Sequence, residues 1–180
     1  MTFNETILKG SYLIEINTFS DDRGWFARTY CKNEFKEIGH DKEWVQLNHS
    51  YTKQKGTIRG MHYQSPFKEI KMVRCVSGSV FDVIVDIRKD SPTFLQWYGT
   101  ELSAVNKNML YIPEGFAHGF QTLSDDVELL YHHSEFYTPG SEGALRYNDP
   151  MINIKWPEVV TQVSERDNTH TLLDINFKGI

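Results

Sequence analysis

The chain has 180 residues, one domain's worth, and Lys+Arg 19 against Asp+Glu 24 leaves a net charge of −5. That balance disfavours nucleic acid and anionic bilayers, which need a surplus of basic side chains. With 39% hydrophobic residues the chain is too apolar for disorder, and its 13% aromatic content suits strand-rich packing or a pocket lined by flat rings.

Along the chain, the first residues carry Asn4, Glu5 and Lys9 without an apolar run, and no stretch of about 18 apolar residues follows. The expectation is a cytoplasmic protein with no membrane partner. Residues 12–16 read as a strand. Residues 32–38 are the best helix candidate, one or two turns long and closing at Gly39. Short β-like runs then follow at 44–47, 56–64, 72–76, 80–87, 95–101, 109–112, 119–123 and 127–135. The clearest is 80–87, where Phe81, Val83, Val85 and Ile87 share one face and Asp82, Ile84 and Asp86 the other. Cys31 and Cys75 allow one disulfide at most and sit in no metal-ligand spacing. There is no glycine-rich dinucleotide or phosphate loop. The pattern predicts a single all-β domain over residues 1–180, a sandwich or jelly roll with a few short helices.

Three segments are polar where such a chain should form core. In residues 56–64, strand alternation puts Ile58, Gly60 and His62 on one face and Arg59, Met61 and Tyr63 on the other; alone, His62 fits a core histidine as readily as a base. Pro113-Glu114-Gly115-Phe116-Ala117-His118 has the P-x-G-x-x-H order of cupin-type jelly rolls, in which a turn delivers a histidine to the barrel mouth. The H-x-H pair of the metal-binding kind is missing, because Gln64 follows His62-Tyr63, so no metal is expected. His132 and His133 are adjacent, which on a strand sends their rings to opposite faces and makes no ligand motif. Tyr131, Tyr137, Glu142 and Ser164-Glu165-Arg166-Asp167 complete the set. With His62 they supply a base, an acid and an orienting carboxylate, the groups that proton abstraction from carbon requires.

Asp22-Arg23-Gly24-Trp25-Phe26, Gln46-Leu47-Asn48-His49-Ser50, the 56–64 segment, Lys71-Met72-Val73-Arg74, Asp86 to Thr93, the 112–120 segment, Asn148-Asp149-Pro150, Lys155-Trp156-Pro157 and 164–167 stand in one order along the chain. In these motifs the chain resembles the nucleotide-sugar 3,5-epimerases of the dTDP-4-dehydrorhamnose 3,5-epimerase type. The resemblance implies a cupin-like jelly roll and a homodimer in which an N-terminal segment reaches the partner's nucleotide site. It implies His62 as general base, Asp167 as its orienting partner, Tyr131 as the acid on the other face of the sugar, and Lys71, helped by His118, beside the C4 oxygen. Arg23, Gln46, Asn48, Arg59, Glu142 and Arg166 match substrate-contacting positions, and Trp25, Phe26, Tyr131 and Tyr137 would line the sugar and base sites. The substrate is a nucleoside-diphosphate 4-keto sugar, epimerised at C3, C5 or both through an enolate, with no cofactor.

Two departures bear on substrate. Arg28 stands where the family usually has Glu against the nucleobase; it suits the acceptor edge of a CDP or GDP sugar, or adds a phosphate contact. Glu69 stands where many relatives have Gln, and a Glu69–Lys71 pair on an exposed loop would be worth little. Two alternatives are a 3,4-ketoisomerase of the same superfamily, which typically has a second histidine where Gln64 stands, and a non-catalytic sugar-nucleotide-binding cupin.

Overall fold

Residues 80–87 alternate as expected and are buried on both faces. In the computed structural model, which describes residues 1–180, one sheet runs in the order β1 (Thr2–Glu5), β2 (Tyr12–Glu15), β10 (Met109–Ile112), β7 (Lys71–Ser77), β12 (Val127–His133) and β5 (Gln46–Thr52). The other runs β13 (Glu142–Ala144), β6 (Thr57–Gln64), β11 (Phe116–Thr122), β8 (Ser79–Asp86) and β9 (Trp97–Ser103), with β14 (Gln162–Val163) parallel to β6. A separate hairpin joins β3 (Thr18–Asp21) to β4 (Gly24–Ala27). This is the expected cupin jelly roll, with two short helices, α1 (Lys32–Phe35) and α2 (Glu165–Thr169).

Between the sheets lie Val73, Cys75, Leu110 and Leu129 from one side and Val80, Ile84, Phe116 and Phe120 from the other. Outside the second sheet, Met61, Val83, Val85 and Ile87 are covered by Leu145, Ile152 and Ile154 and by Leu173 and Phe177 of the C-terminal segment. Outside the first, Met72, Met109 and Tyr111 pack under Phe35, Tyr30 and Trp44. Covering both outer faces is why β8 carries apolar residues on both sides.

Several boundaries move. The strand expected from residue 95 starts at Trp97, because Leu95 turns with φ of 61°. The strand expected at 44–47 is β5, Gln46–Thr52, whose polar residues Asn48 and Ser50 hid it by facing a cavity rather than core. The predicted helix is one α-turn followed by a 3₁₀ turn at Lys36–Ile38, ending at Gly39 with φ of 77°. Strands β1, β3, β4, β13 and β14 and helix α2 are only two to five residues long and left no periodic trace. Both cysteines are free, and no helix is long and apolar enough to cross a membrane.

One deviation builds the site. His62 pairs with His118 but Arg59 with Phe120, so three steps on β6 oppose two on β11. The extra residue resets the alternation. Arg59, expected opposite His62, lines the same cavity, while Met61 and Tyr63 stay with the outer cluster. Gly60, at φ of 125°, makes this possible: a Cβ there would lie 2.5 Å from Gly119 Cα.

Candidate active site

At one end of the space between the sheets the inward positions turn polar. Inward positions on β12 run Leu129, Tyr131, His133, and on β7 Cys75, Val73, Lys71. The result is a cavity of about 1070 Å³ lined by Asn48, Ser50, Arg59, His62, Lys71, His118, Tyr131, His133, Arg166 and Asp167 among others. A smaller lobe of about 140 Å³ shares Asn48, His62, Lys71, His133 and Arg166 with it and adds Gln46, Gln64, Glu69, Tyr137 and Glu142.

His62 Nε2 lies 2.7 Å from Asp167 Oδ1, and Asp167 Oδ2 accepts the Gly60 N–H at 3.3 Å. Asp167 is held in turn by the start of α2, where the Ser164 hydroxyl accepts its backbone N–H at 3.0 Å. Burial works against the Asp167 charge, but the hydrogen bonds and the imidazole beside it hold its carboxyl below the usual range. The imidazole therefore has a fixed orientation with its remaining edge toward the cavity.

Tyr131 shares a 2.9 Å hydrogen bond with Ser50, and burial raises its phenol above the ordinary value despite that bond. Burial thus favours the neutral phenol over the phenolate. His118 Nε2 sits 3.0 Å from both oxygens of the fully buried Asp82.

Lys71 Nζ donates to Glu69 Oε1 at 2.9 Å, and Glu69 Oε2 lies 2.6 Å from His133 Nδ1. This corrects the expectation of an exposed, weak pair. Glu69 is only 9% exposed, and His133 and Lys71 outweigh its burial to hold its carboxyl below the usual range. Gln64, where a ketoisomerase would carry a second histidine, is engaged structurally: its amide bonds Phe136 O, Thr138 N and the Ser141 hydroxyl.

Positive charge gathers at the cavity wall. Arg59 is aimed by Nε to the Thr52 hydroxyl at 3.0 Å and Nη2 to Tyr51 O at 3.1 Å, and Arg166 pairs with Glu142 at 3.1 Å. Gln46 Nε2 donates to Asn48 Oδ1 at 3.1 Å. Of the residues picked out from the sequence, Arg23, Trp25, Phe26 and Arg28 stay outside both lobes. Arg23, on the turn between β3 and β4, pairs with Asp21 at 2.6 Å, and Arg28 pairs with Glu34 at 2.8 Å. Trp25 and Phe26 lie on the same hairpin, so neither lines this chain's cavity, and Phe26 is 72% exposed.

Sequence reasoning left Ser50 and Asp82 without a role, set His133 aside as no ligand motif, and placed the Glu69–Lys71 pair on an exposed loop. The signal for His133 was its spacing of two from Tyr131, which places both on one face. His62, Asp167 and His170 offer ligand atoms within 4.8 Å of one another, but His62 Nε2 and Asp167 Oδ1 are already joined by a hydrogen bond.

A cupin-type jelly roll whose interior opens on a carboxylate-oriented imidazole, a buried phenol and a row of cations defines an acid–base enzyme. The model of the dTDP-4-dehydrorhamnose 3,5-epimerase family matches residues 5–174, and the chain belongs to that family. It is 47% identical over 173 residues to the dTDP-4-dehydrorhamnose 3,5-epimerase of Salmonella typhimurium, covering 94% of each chain. Among solved structures, that of the Bacillus anthracis enzyme with TDP and PPi bound is 40% identical with a TM-score of 0.92, covering 96% of this chain and 99% of that one. The Legionella pneumophila dTDP-6-deoxy-D-glucose-3,5-epimerase in complex with dTDP-4-keto-L-rhamnose is 41% identical with a TM-score of 0.90, covering 95% and 92%.

Proposed function

We propose that this cavity epimerises a nucleoside-diphosphate 4-keto-6-deoxy sugar at C3, C5 or both, in deoxysugar synthesis. The observation that carries the reading is the 2.7 Å His62–Asp167 dyad opening on the same cavity as Tyr131. Protons on C3 and C5 of a 4-keto sugar are α to the carbonyl. His62 takes one, the electron pair moves to O4, and Lys71, with His118 behind it, stabilises the enolate. Tyr131 returns a proton to the opposite face of the carbon, inverting it. The phosphates lie against Arg59 and Arg166, with Gln46, Asn48 and Glu142 on the sugar and nucleoside.

Residues 1–180 act as one domain in a cytoplasmic homodimer. Arg23 and Arg28 flank the exposed aromatics of a hairpin that projects from its own cavity, the arrangement expected of an arm that completes the partner's site.

Incubation with the 4-keto sugar nucleotide in D₂O tests the reaction by deuterium incorporation at C3 and C5. Label at either carbon is expected; label at neither overturns the reading. A second reading concerns the nucleotide. Relatives were solved with TDP or a dTDP sugar. Arg28, 63% exposed beside Phe26, favours a base with an acceptor edge, as in CDP or GDP. Thermal shifts with the four nucleoside diphosphates decide it, since ligand at about 100 times Kd stabilises by roughly 2.7 kcal/mol; a larger shift with dTDP removes the Arg28 argument.

A further inference from the structure

The cavity holds more charge chemistry than this reaction scheme uses. Glu69 grips Lys71 with one oxygen and His133 with the other, all three being largely buried. Ion pairs removed from water are costly unless they are fully engaged, and hydrophobic replacements of such pairs are commonly as stable. A buried Lys–Glu–His set at a cavity wall therefore asks for a chemical reason. Its position supplies one. His133 and Lys71 line both lobes of the cavity, and the His133 ring stands two residues from Tyr131 on β12, with ring centroids 6.2 Å apart. The ring's other nitrogen, Nε2, meets the cavity wall only through a long 3.3 Å contact in which Asn48 Nδ2 is the donor, a contact that substrate must displace before Nε2 can carry a proton toward it. Lys71, moreover, is not a free cation: the carboxylate at 2.9 Å offsets its charge, so its ammonium alone is a weakened partner for an enolate oxygen.

Resting on the epimerase reading above, we propose that His133, oriented by Glu69, is a further catalytic residue: its imidazolium donates from Nε2 to the substrate's C4 oxygen as the enolate forms. The carbon proton passes to His62 and its electron pair moves onto O4. His133 transfers or shares its Nε2 proton there, giving an enol and a neutral imidazole. When Tyr131 protonates the carbon, the oxygen's proton returns to His133 and the carbonyl re-forms. His62 has then gained one proton and Tyr131 lost one, and solvent resets both. Glu69 is the positioning residue. Its carboxylate, 2.6 Å from Nδ1, fixes the ring and is the counter-charge of the imidazolium that the step requires. Around His133 the other ionisable groups are Glu69 and Lys71 from the β7 side, Tyr131 on its own strand, and His62 and Arg166 across the shared cavity.

The test is the pH profile of kcat and of deuterium incorporation for wild type, His133→Gln and Glu69→Gln, with the nucleotide-induced thermal shift as a check of folding. A catalytic imidazolium places the descending limb of the wild-type profile in the histidine range, whereas Lys71 or Tyr131 alone would place it near about 10. His133→Gln is expected to lower kcat at least about tenfold with KM within about threefold, and to move the descending limb toward the lysine and tyrosine range. Glu69→Gln, which keeps hydrogen-bonding groups but removes the charge, moves that limb to lower pH. A limb unmoved in both variants, or a His133→Gln kcat within twofold of wild type, overturns the proposal. Wild-type exchange with an unmoved limb removes His133 alone; no exchange by wild type removes the epimerase reading and this one with it.

Discussion

His62 and Asp167 are 105 residues apart in the chain and 2.7 Å apart in the fold. The bond ties β6 to the first turn of α2, a five-residue helix whose start is capped by Ser164. Asp167 adds a second tie by accepting the Gly60 N–H, so the carboxylate fixes both the ring and the backbone that carries it.

Asp167→Asn keeps the shape and removes the charge that opposes the imidazolium. Turnover is expected to fall by about 10²–10⁴-fold, with nucleotide-induced stabilisation unchanged. Steady-state kinetics beside a thermal-shift titration checks this; a loss of nucleotide binding in parallel with turnover would mark a structural carboxylate instead.

Tyr131→Phe separates the two halves of the reaction. His62 can still remove and return a proton on its own face, so deuterium incorporation is expected to persist while inverted product falls by at least about 10²-fold. The variant also leaves the Ser50 hydroxyl without its partner, a cost of about 1 kcal/mol readable in chemical denaturation. Equal loss of exchange and inversion would contradict the division of roles.

Gly60→Ala probes the displaced register. The new methyl meets Gly119 Cα and the His118 carbonyl, both backbone and unable to swing aside, at a φ unfavourable for any Cβ. A loss of at least about 3 kcal/mol is expected, together with activity, because β6 and β11 must separate where His62 and His118 pair. Urea unfolding measures it.

Asp86 sets an acid limit on stability remote from the cavity. Burial opposes its charge, but Arg88, Ser91 and Thr93 all donate to it and bring its pKa down to about 2. The folded pKa lies below the unfolded value near 3.8, so the unfolded chain binds the proton more tightly. The contribution, of order 2 kcal/mol, is present above the unfolded value and lost as pH falls toward 2. Melting temperature against pH should drop through that window, and Asp86→Asn should flatten the drop while lowering stability at neutral pH.

The all-β class, the central strands and the motif residues were legible in the sequence because they depend on local rules. Alternation over 80–87 assigned both faces of β8 correctly, and the Pro-Gly-His order marked β11. Strand β5 and the short edge elements were harder to read, since β5 turns polar side chains toward a cavity and so loses the apolar trace that marks a strand.

Residue types, strand period and ordered motifs were enough to establish the chemistry available, the fold class and the family. Which groups meet depended on long-range pairing. The bulge between β6 and β11 brought Arg59 to the His62 side, against the simple alternation. Pairing of β7 with β12 set Lys71 opposite His133 and closed Glu69 between them, turning a pair expected in solvent into a buried one. The same folding left Arg23 and Arg28 outside their own cavity. Side-chain type and strand period are local properties, whereas register, burial and the neighbour across a sheet are set by contacts between residues distant in the chain.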